Sequence, residues 1–327
     1  MRKVTGLLIV LLMSACGEPG YLQKEHEVLA KYPEASTEMT LKKVSEHVYY
    51  VQGAAGVATD NQGFISNAGA IVTPKGVVIV DTLGTPALAS KMVRLLREVT
   101  DQPIKRVILT HYHADHIYGL QVYKEIGAEI YAPQGAMAYL DSPTAKERLE
   151  ERRFSLDPWV NENTYLVPPD HILDSTTRME LGGVSMTANY VGAAHSDGDL
   201  TLLVEPDRVL FSGDIIFEGR IAYLGDADTR HWLETLEKLE TDGLAGLVPG
   251  HGPEAKEPTK AIAQTRRYLA YIRQVMGEAV ENFTPFAEAY KAADWSEFEN
   301  LPAFAAANRR NAYQVYLSME AEELHGE

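Results

Sequence analysis

Six consecutive residues, His111-Tyr112-His113-Ala114-Asp115-His116, carry three histidines and an aspartate. They directly follow the apolar run RVILT, residues 106–110. On an extended chain, side chains two apart share a face, so His111 and His113 form a natural pair of ligands for one metal ion. Asp115 and His116 come as the chain turns toward the next helix, which lets them reach a second position close by. Neutral imidazole with carboxylate suits Zn²⁺ and, less selectively, iron or manganese. Packing accounts for a single histidine, not for three and an aspartate within six residues.

Three more candidates sit at expected strand ends. His195 lies in the small-residue loop GAAHSDGD just before a strand. Asp214 ends the apolar run FSGD. His251, in VPGHGP, follows the last strand between glycines that let backbone approach closely. Each has a plain alternative, an Asx turn or a loop histidine. Together they share one address, the C-terminal edge of the strands, where layered α/β folds carry their chemistry. Asp81 ends VVIVD at a similar place. Tyr112 and Tyr118 flank the ligand block and read as substrate contacts or as packing.

The elements that must position these groups follow from periodicity. Residues 44–51 read as an edge strand and 53–63, GAAGVATDNQG, as a flexible loop. Residues 70–82 and 201–214 each read as a hairpin closed by a proline-containing turn, with Asp81 and Asp214 at or next to their ends. Asp81 and Asp214 match to within about one residue, a sign of two similar halves. Helices are expected over 86–99, 117–126, 134–153 and 228–239, with strands over 104–110, 128–133 and 244–250. Beyond about Thr259 the pattern is helical. Strands and helices alternate up to residue 250, so the core is a layered α/β fold.

The ordered motifs THYHADHIYG, AHSDGD, SGD and PGHG resemble the metallo-β-lactamase-fold hydrolase superfamily, from about Leu41 to Gly252. The resemblance implies an αββα sandwich with a dinuclear site at its edge. It implies two Zn²⁺ per chain, with His111, His113 and His195 on the first and Asp115, His116 and His251 on the second. Asp214 would bridge them, and Asp81 would orient a ligand histidine. Asp115 would orient a metal-bridged hydroxide and accept its proton. The implied activity is hydrolysis of an ester, thioester, lactone or amide-like small molecule. A bridging aspartate resembles the glyoxalase II-like side of the superfamily. Class B1 and B2 β-lactamases hold cysteine there, class B3 enzymes lack the aspartate, and flavodiiron proteins hold glutamate at the place of His113. The basic residues with which glyoxalase II binds glutathione have no match. IAYLGDADTRHWLETLEKLE and RRNAYQVY are similar to periplasmic members associated with sulphur-oxidation and quinoprotein gene clusters. A mononuclear-iron, persulfide dioxygenase-like oxidoreductase using only His111, His195 and Asp214 remains an alternative, as does β-lactamase activity.

The N-terminus speaks to location. Arg2 and Lys3 precede the apolar run 6–13, too short to cross a bilayer but fitting for a signal peptide. Leu12-Met13-Ser14-Ala15-Cys16 resembles a bacterial lipobox, so Cys16, the sole cysteine, is expected to be lipidated after removal of 1–15. Gly17 at the next position suggests, by resemblance, the outer membrane, on the periplasmic side. Residues 16–40 then read as a polar tether, 41–258 as the metallo-β-lactamase-like domain and 259–327 as a helical extension packed on it. One cysteine allows no intramolecular disulfide. A net charge of −16 over 327 residues opposes phosphate backbones and excludes nucleic acid as an expected partner. A small-molecule substrate and, through the lipid, a membrane surface remain. Oligomeric state is not legible.

Overall fold

A computed structural model describes residues 20–225, 227–239 and 241–325. Its first sheet has seven strands in chain order: β1 (Lys42–Lys43), β2 (Val48–Val51), β3 (Ala68–Thr73), β4 (Gly76–Val80), β5 (Ile104–Ile108), β6 (Glu129–Pro133) and β7 (His171–Leu173). Pairing is antiparallel as far as β4 and parallel from β4 to β7. The second sheet has β8 (Thr177–Leu181), β9 (Val184–Gly192), β10 (Asp199–Val204), β11 (Val209–Phe217) and β12 (Gly246–His251), with only the β11–β12 pair parallel. Helices α1 (Gly20–Leu29), α2 (Pro86–Leu96), α3 (Ala114–Ile117), α4 (Leu120–Ile126), α5 (Ala136–Asp141) and α6 (Pro143–Ser155) cover the first sheet. Helices α7 (Thr229–Lys238), α8 (Pro258–Glu281), α9 (Phe286–Ala292) and α10 (Phe304–His325) cover the second.

The period-2 alternation of strands sorts apolar side chains into three layers. Val77 and Ile79 of β4 face the helices, with Leu88, Met92 and Leu96 of α2 among their neighbours in that core. Val78 and Val80 face the other way and meet Leu200, Leu202, Val209 and Phe211 of the second sheet. Leu210 and Leu247 face Trp232 of α7 and Leu269 and Ile272 of α8. The architecture is therefore αββα. Each fully buried Leu or Ile contributes about 1.5–3 kcal/mol, so the middle layer fixes how the sheets stack.

The two expected halves are visible in the connections. A hairpin, β3–β4, is followed by α2 and the parallel strand β5; another, β10–β11, is followed by α7 and the parallel strand β12. The ends of β4, β5 and β12, and the irregular stretch of β11 after Phe211, thus bring Asp81, His111, His251 and Asp214 to one edge.

The stretch expected as a tether is, from Gly20 on, docked on the domain. Leu22, Val28 and Leu29 of α1 are buried, and Glu25 makes a two-pronged ion pair with Arg97 at 2.6 Å for each contact. The Lys91 ammonium donates to Ala35 O and Thr37 O. An amphipathic stripe with a carboxylate on its buried side needs such a partner surface, and α2 with its C-terminal arginine supplies it. Cys16 and residues 1–15 lie outside the described residues. The helix expected over 134–153 is two, because Ser142 caps α6 by accepting from Ala145 N, with Pro143 as its first residue. Among the described residues, no helix is long and apolar enough to cross a membrane.

Candidate metal centre

All seven residues expected as ligands converge at the edge where the sheets meet. Their ligand atoms form two groups, His111, His113, His195 with Asp214, and Asp115, His116 with His251. Within each group these atoms lie within 4.8 Å of one another. In the first, His113 Nδ1 stands 3.1 Å from His111 Nε2 and 2.8 Å from His195 Nε2. In the second, His251 Nε2 stands 3.2 Å from Asp115 Oδ2, and His116 Nε2 3.7 Å from the same oxygen. Asp214 touches both groups. Its Oδ2 is 3.2 Å from His195 Nε2 and from His251 Nε2, and its Oδ1 is 3.3 Å from His116 Nε2.

The local sequence explains the convergence. His111 and His113 leave the end of β5, and α3 begins immediately, turning Asp115 and His116 to the other side. Asp81 has φ +59°, a strained conformation for a non-glycine residue, which turns its carboxylate across the sheet edge. There it accepts from Thr110 N and Thr110 Oγ1 at 2.8 Å each and meets His116 Nδ1 at 2.9 Å. His251 Nδ1 donates to Ile65 O at 2.7 Å. These contacts fix each ring so that Nε2 faces inward. Behind the rings, His251 stacks on Phe217 at 5.2 Å, and His195 meets Trp232 edge-on at 5.3 Å. Asn67 donates to Pro249 O and Gly252 O at 2.8 Å, tying the β12 end to the start of β3.

Electrostatics divide the two groups. Burial and the neighbouring His116 hold His111 well below its ordinary pKa, and burial pushes His195 down to about 3. Burial would also lower His116 and His251, but the carboxylates facing them prevail and raise both. For His116 these are Asp214, Asp115 and Asp81; for His251 they are Asp214 and Asp115. Burial would raise Asp115 and Asp214, yet the surrounding histidines hold both below the carboxylate range.

The residues fit a pair of cations. Among the described residues, His116 Nε2 and Asp214 Oδ1 are buried and face each other at 3.3 Å without making a hydrogen bond. Leaving such atoms bare costs about 1–3 kcal/mol apiece, and a divalent ion between them removes that cost. Five imidazoles with two carboxylates form a donor set suited to zinc, with iron and manganese sharing it in part.

Sequence reasoning missed Asp199. It is buried and accepts from Ser196 N at 2.8 Å, Ser196 Oγ at 2.9 Å and Ala194 N at 3.2 Å, so it closes the loop that presents His195. Burial pushes its carboxyl up to about 8 against those donors. The signal was present as the second aspartate of SDGD. Tyr112 and Tyr118 belong to the hydrophobic core, the latter 1% exposed. A substrate cannot reach Tyr118 there, because its side chain is enclosed in that core. Tyr223 faces the site instead, its ring 6.3 Å from that of His113 and 6.5 Å from that of His195.

Comparison with known proteins agrees with this geometry. A metallo-β-lactamase superfamily model matches residues 61–251, which span every expected ligand. A type 2 metallo-β-lactamase of Bacillus cereus is 26% identical over 203 residues, covering 61% of this chain and 69% of that protein. A linear primary-alkylsulfatase of a Pseudomonas species is 25% identical over 241 residues, covering 62% of this chain and 45% of that protein. Among solved structures, a sec-alkylsulfatase from Pseudomonas superposes with a TM-score of 0.68 at 18% identity, over 86% of this chain and 50% of that one. A metallo-β-lactamase from Pontibacter korlensis gives 0.58 at 18% identity, over 71% and 99%. The chain spans about half the length of the alkylsulfatases. With two sheets stacked between helices, metal-ligand motifs at the strand ends and a family match running through them, the chain belongs to the metallo-β-lactamase superfamily and is a hydrolase of that family.

Proposed function

We propose that the chain holds two divalent cations, zinc first among them, and hydrolyses an ester, thioester, lactone or amide-like bond in a small molecule. The observation that carries this reading is Asp214, whose carboxylate lies within 3.3 Å of imidazole nitrogens from both ligand groups. A carboxylate so placed offsets the repulsion of two neighbouring cations. When bound, the cations supply Lewis acidity and bring the pKa of water from ~15.7 toward neutrality.

The chain's own residues do the rest. His111, His113 and His195 hold one ion; Asp115, His116 and His251 hold the other. Asp81 keeps the His116 ring aimed. Asp115 is the carboxylate ligand open to solvent, 21% exposed against 3% for Asp214, so its Oδ2 is placed to take the proton of the attacking water. Phe217 and Trp232 keep water from the backs of the imidazoles.

A persulfide dioxygenase-like oxidoreductase with a single iron keeps the same histidine block, so metal analysis and dioxygen uptake separate it from the two-metal hydrolase. Aspartate rather than cysteine at position 214 argues against a dedicated β-lactamase. In this reading the protein is anchored through lipidated Cys16 on the periplasmic side of the cell envelope, at the outer membrane.

Metal analysis of purified protein, with hydrolysis assays on ester, thioester, lactone, sulfate ester and β-lactam panels, tests the reading. Two zinc ions per chain are expected, with Asp214→Ala losing one ion and most activity while keeping its fold. One tightly held iron with dioxygen uptake replaces the hydrolase by the oxidoreductase.

A further inference from the structure

Directly after β11, residues 220–225 form a loop along the metal centre. Helices α8 and α10 of the C-terminal layer hold it. Asn311 of α10, fully buried, accepts from Leu224 N at 3.0 Å and donates to Ala222 O at 2.7 Å. The same amide reaches Tyr268 Oη at 2.9 Å, and Tyr268 in turn donates to Asn308 Oδ1 at 2.8 Å. Ile221 N donates to Pro302 O at 3.0 Å. A buried network with its members satisfied fixes a loop conformation more tightly than exposed contacts do.

The held loop presents Tyr223. The ring is half-buried and edge-on to the His113 and His195 rings. The Arg310 guanidinium, one residue before Asn311, lies over the same ring, 5.5 Å from its centroid. Arg310 is exposed, and among the described residues no carboxylate lies within salt-bridge distance of it. Among the described residues, Arg310 thus offers an exposed guanidinium with no salt-bridge partner, one phenol ring from the metal ligands. Guanidinium recognises planar oxyanions through paired donors.

We propose that Tyr223 and Arg310 form the substrate wall of the centre. The substrate then carries an apolar or aromatic body that lies on Tyr223, and an anionic group, a carboxylate or similar oxyanion, that meets Arg310. The scissile bond lies at the metal ligands and the anion one ring's length away. The inference rests on the two-metal reading above and deepens it by naming a substrate class.

Benzyl mercaptan and 4-(mercaptomethyl)benzoate serve as probes, because each has a thiol for the metal and only the second has the anion. Calorimetry on zinc-loaded protein reads the ratio of the two affinities and needs no turnover. Wild type is expected to prefer the carboxylate by about tenfold, the value of one charge-assisted contact. Arg310→Gln should bring the ratio to within about twofold, and Tyr223→Ala should weaken both thiols several-fold. Zinc content and thermal unfolding of each variant report that the site and fold are kept. Equal binding of the two thiols by wild type, or a preference that survives Arg310→Gln, overturns the proposal. Failure of the hydrolase reading shows separately, as absence of turnover on every panel.

Discussion

A Cβ atom added to Gly250 would lie 1.9 Å from Asp214 Oδ1. The glycine before His251 is therefore a matter of space: the carboxylate that joins the two ligand groups occupies the place of a side chain. Gly250→Ala is expected to push Asp214 aside and abolish binding of at least one cation. Metal content by mass spectrometry, with circular dichroism to confirm the fold, checks this; an alanine variant retaining two ions would mean that the backbone gives way instead.

Asp115 and His251 separate ligation from proton transfer. Asp115→Asn keeps the size and one coordinating oxygen but removes the basic atom. We expect a modest loss of metal and a fall in kcat of ~10²–10⁴-fold. His251→Ala removes a ligand and no proton acceptor, so excess zinc should restore much of its activity. A zinc titration of both variants decides the matter, since equal rescue would leave Asp115 as a ligand only.

The two ligand groups should respond differently to pH. His116 and His251 have folded-state pKa values raised by the carboxylates around them, whereas His111 and His195 are lowered by burial. In the metal-free protein, compared with His111 and His195, His116 and His251 of the second group therefore hold their protons to higher pH. Their ion pairs with Asp81, Asp115 and Asp214 are fully formed below the unfolded value of about 6.5 and are lost as pH rises through the raised values. Metal entering that group must expel those protons, so its affinity should fall steeply on acidification. His111 and His195 of the first group have little proton to lose, so that group should keep its ion to lower pH. Competitive chelator titrations from pH 5 to 8 are expected to give two sites of different slope. Parallel slopes would contradict the division.

Asn311→Leu keeps the branched shape but strands Leu224 N and Ala222 O and takes one donor from the Tyr268 hydroxyl. A cost of about 1–3 kcal/mol is expected, read from chemical denaturation. A change under 0.5 kcal/mol would mean that water replaces the amide.

Cys16→Ala should release the protein from membranes or leave it unprocessed. A variant that stays bound with an unchanged N-terminus would rule out the lipobox.

The metal ligands were legible because their chemistry is local: histidines crowd at strand ends and glycines flank them. The pairing of Asp81 with Asp214 was legible for the same reason, through two hairpins of like pattern. Strands β8 and β9 were not, because their outward positions are polar and half-exposed, which dilutes the apolar run. Nor was Tyr223, whose place depends on Asn311, a partner 87 residues from Leu224 in the chain. Contacts at that separation leave no periodic mark. The docking of α1 depends likewise on Arg97, 72 residues from Glu25.

That docking has a consequence for a chain anchored at Cys16, as proposed. Four residue steps separate Cys16 from Gly20, the start of α1. Fully extended, they span at most about 14 Å. The folded body could not then roam the space between the membranes. It would ride the lipid surface with the α1 end downward, and substrates would approach from a direction set by the bilayer.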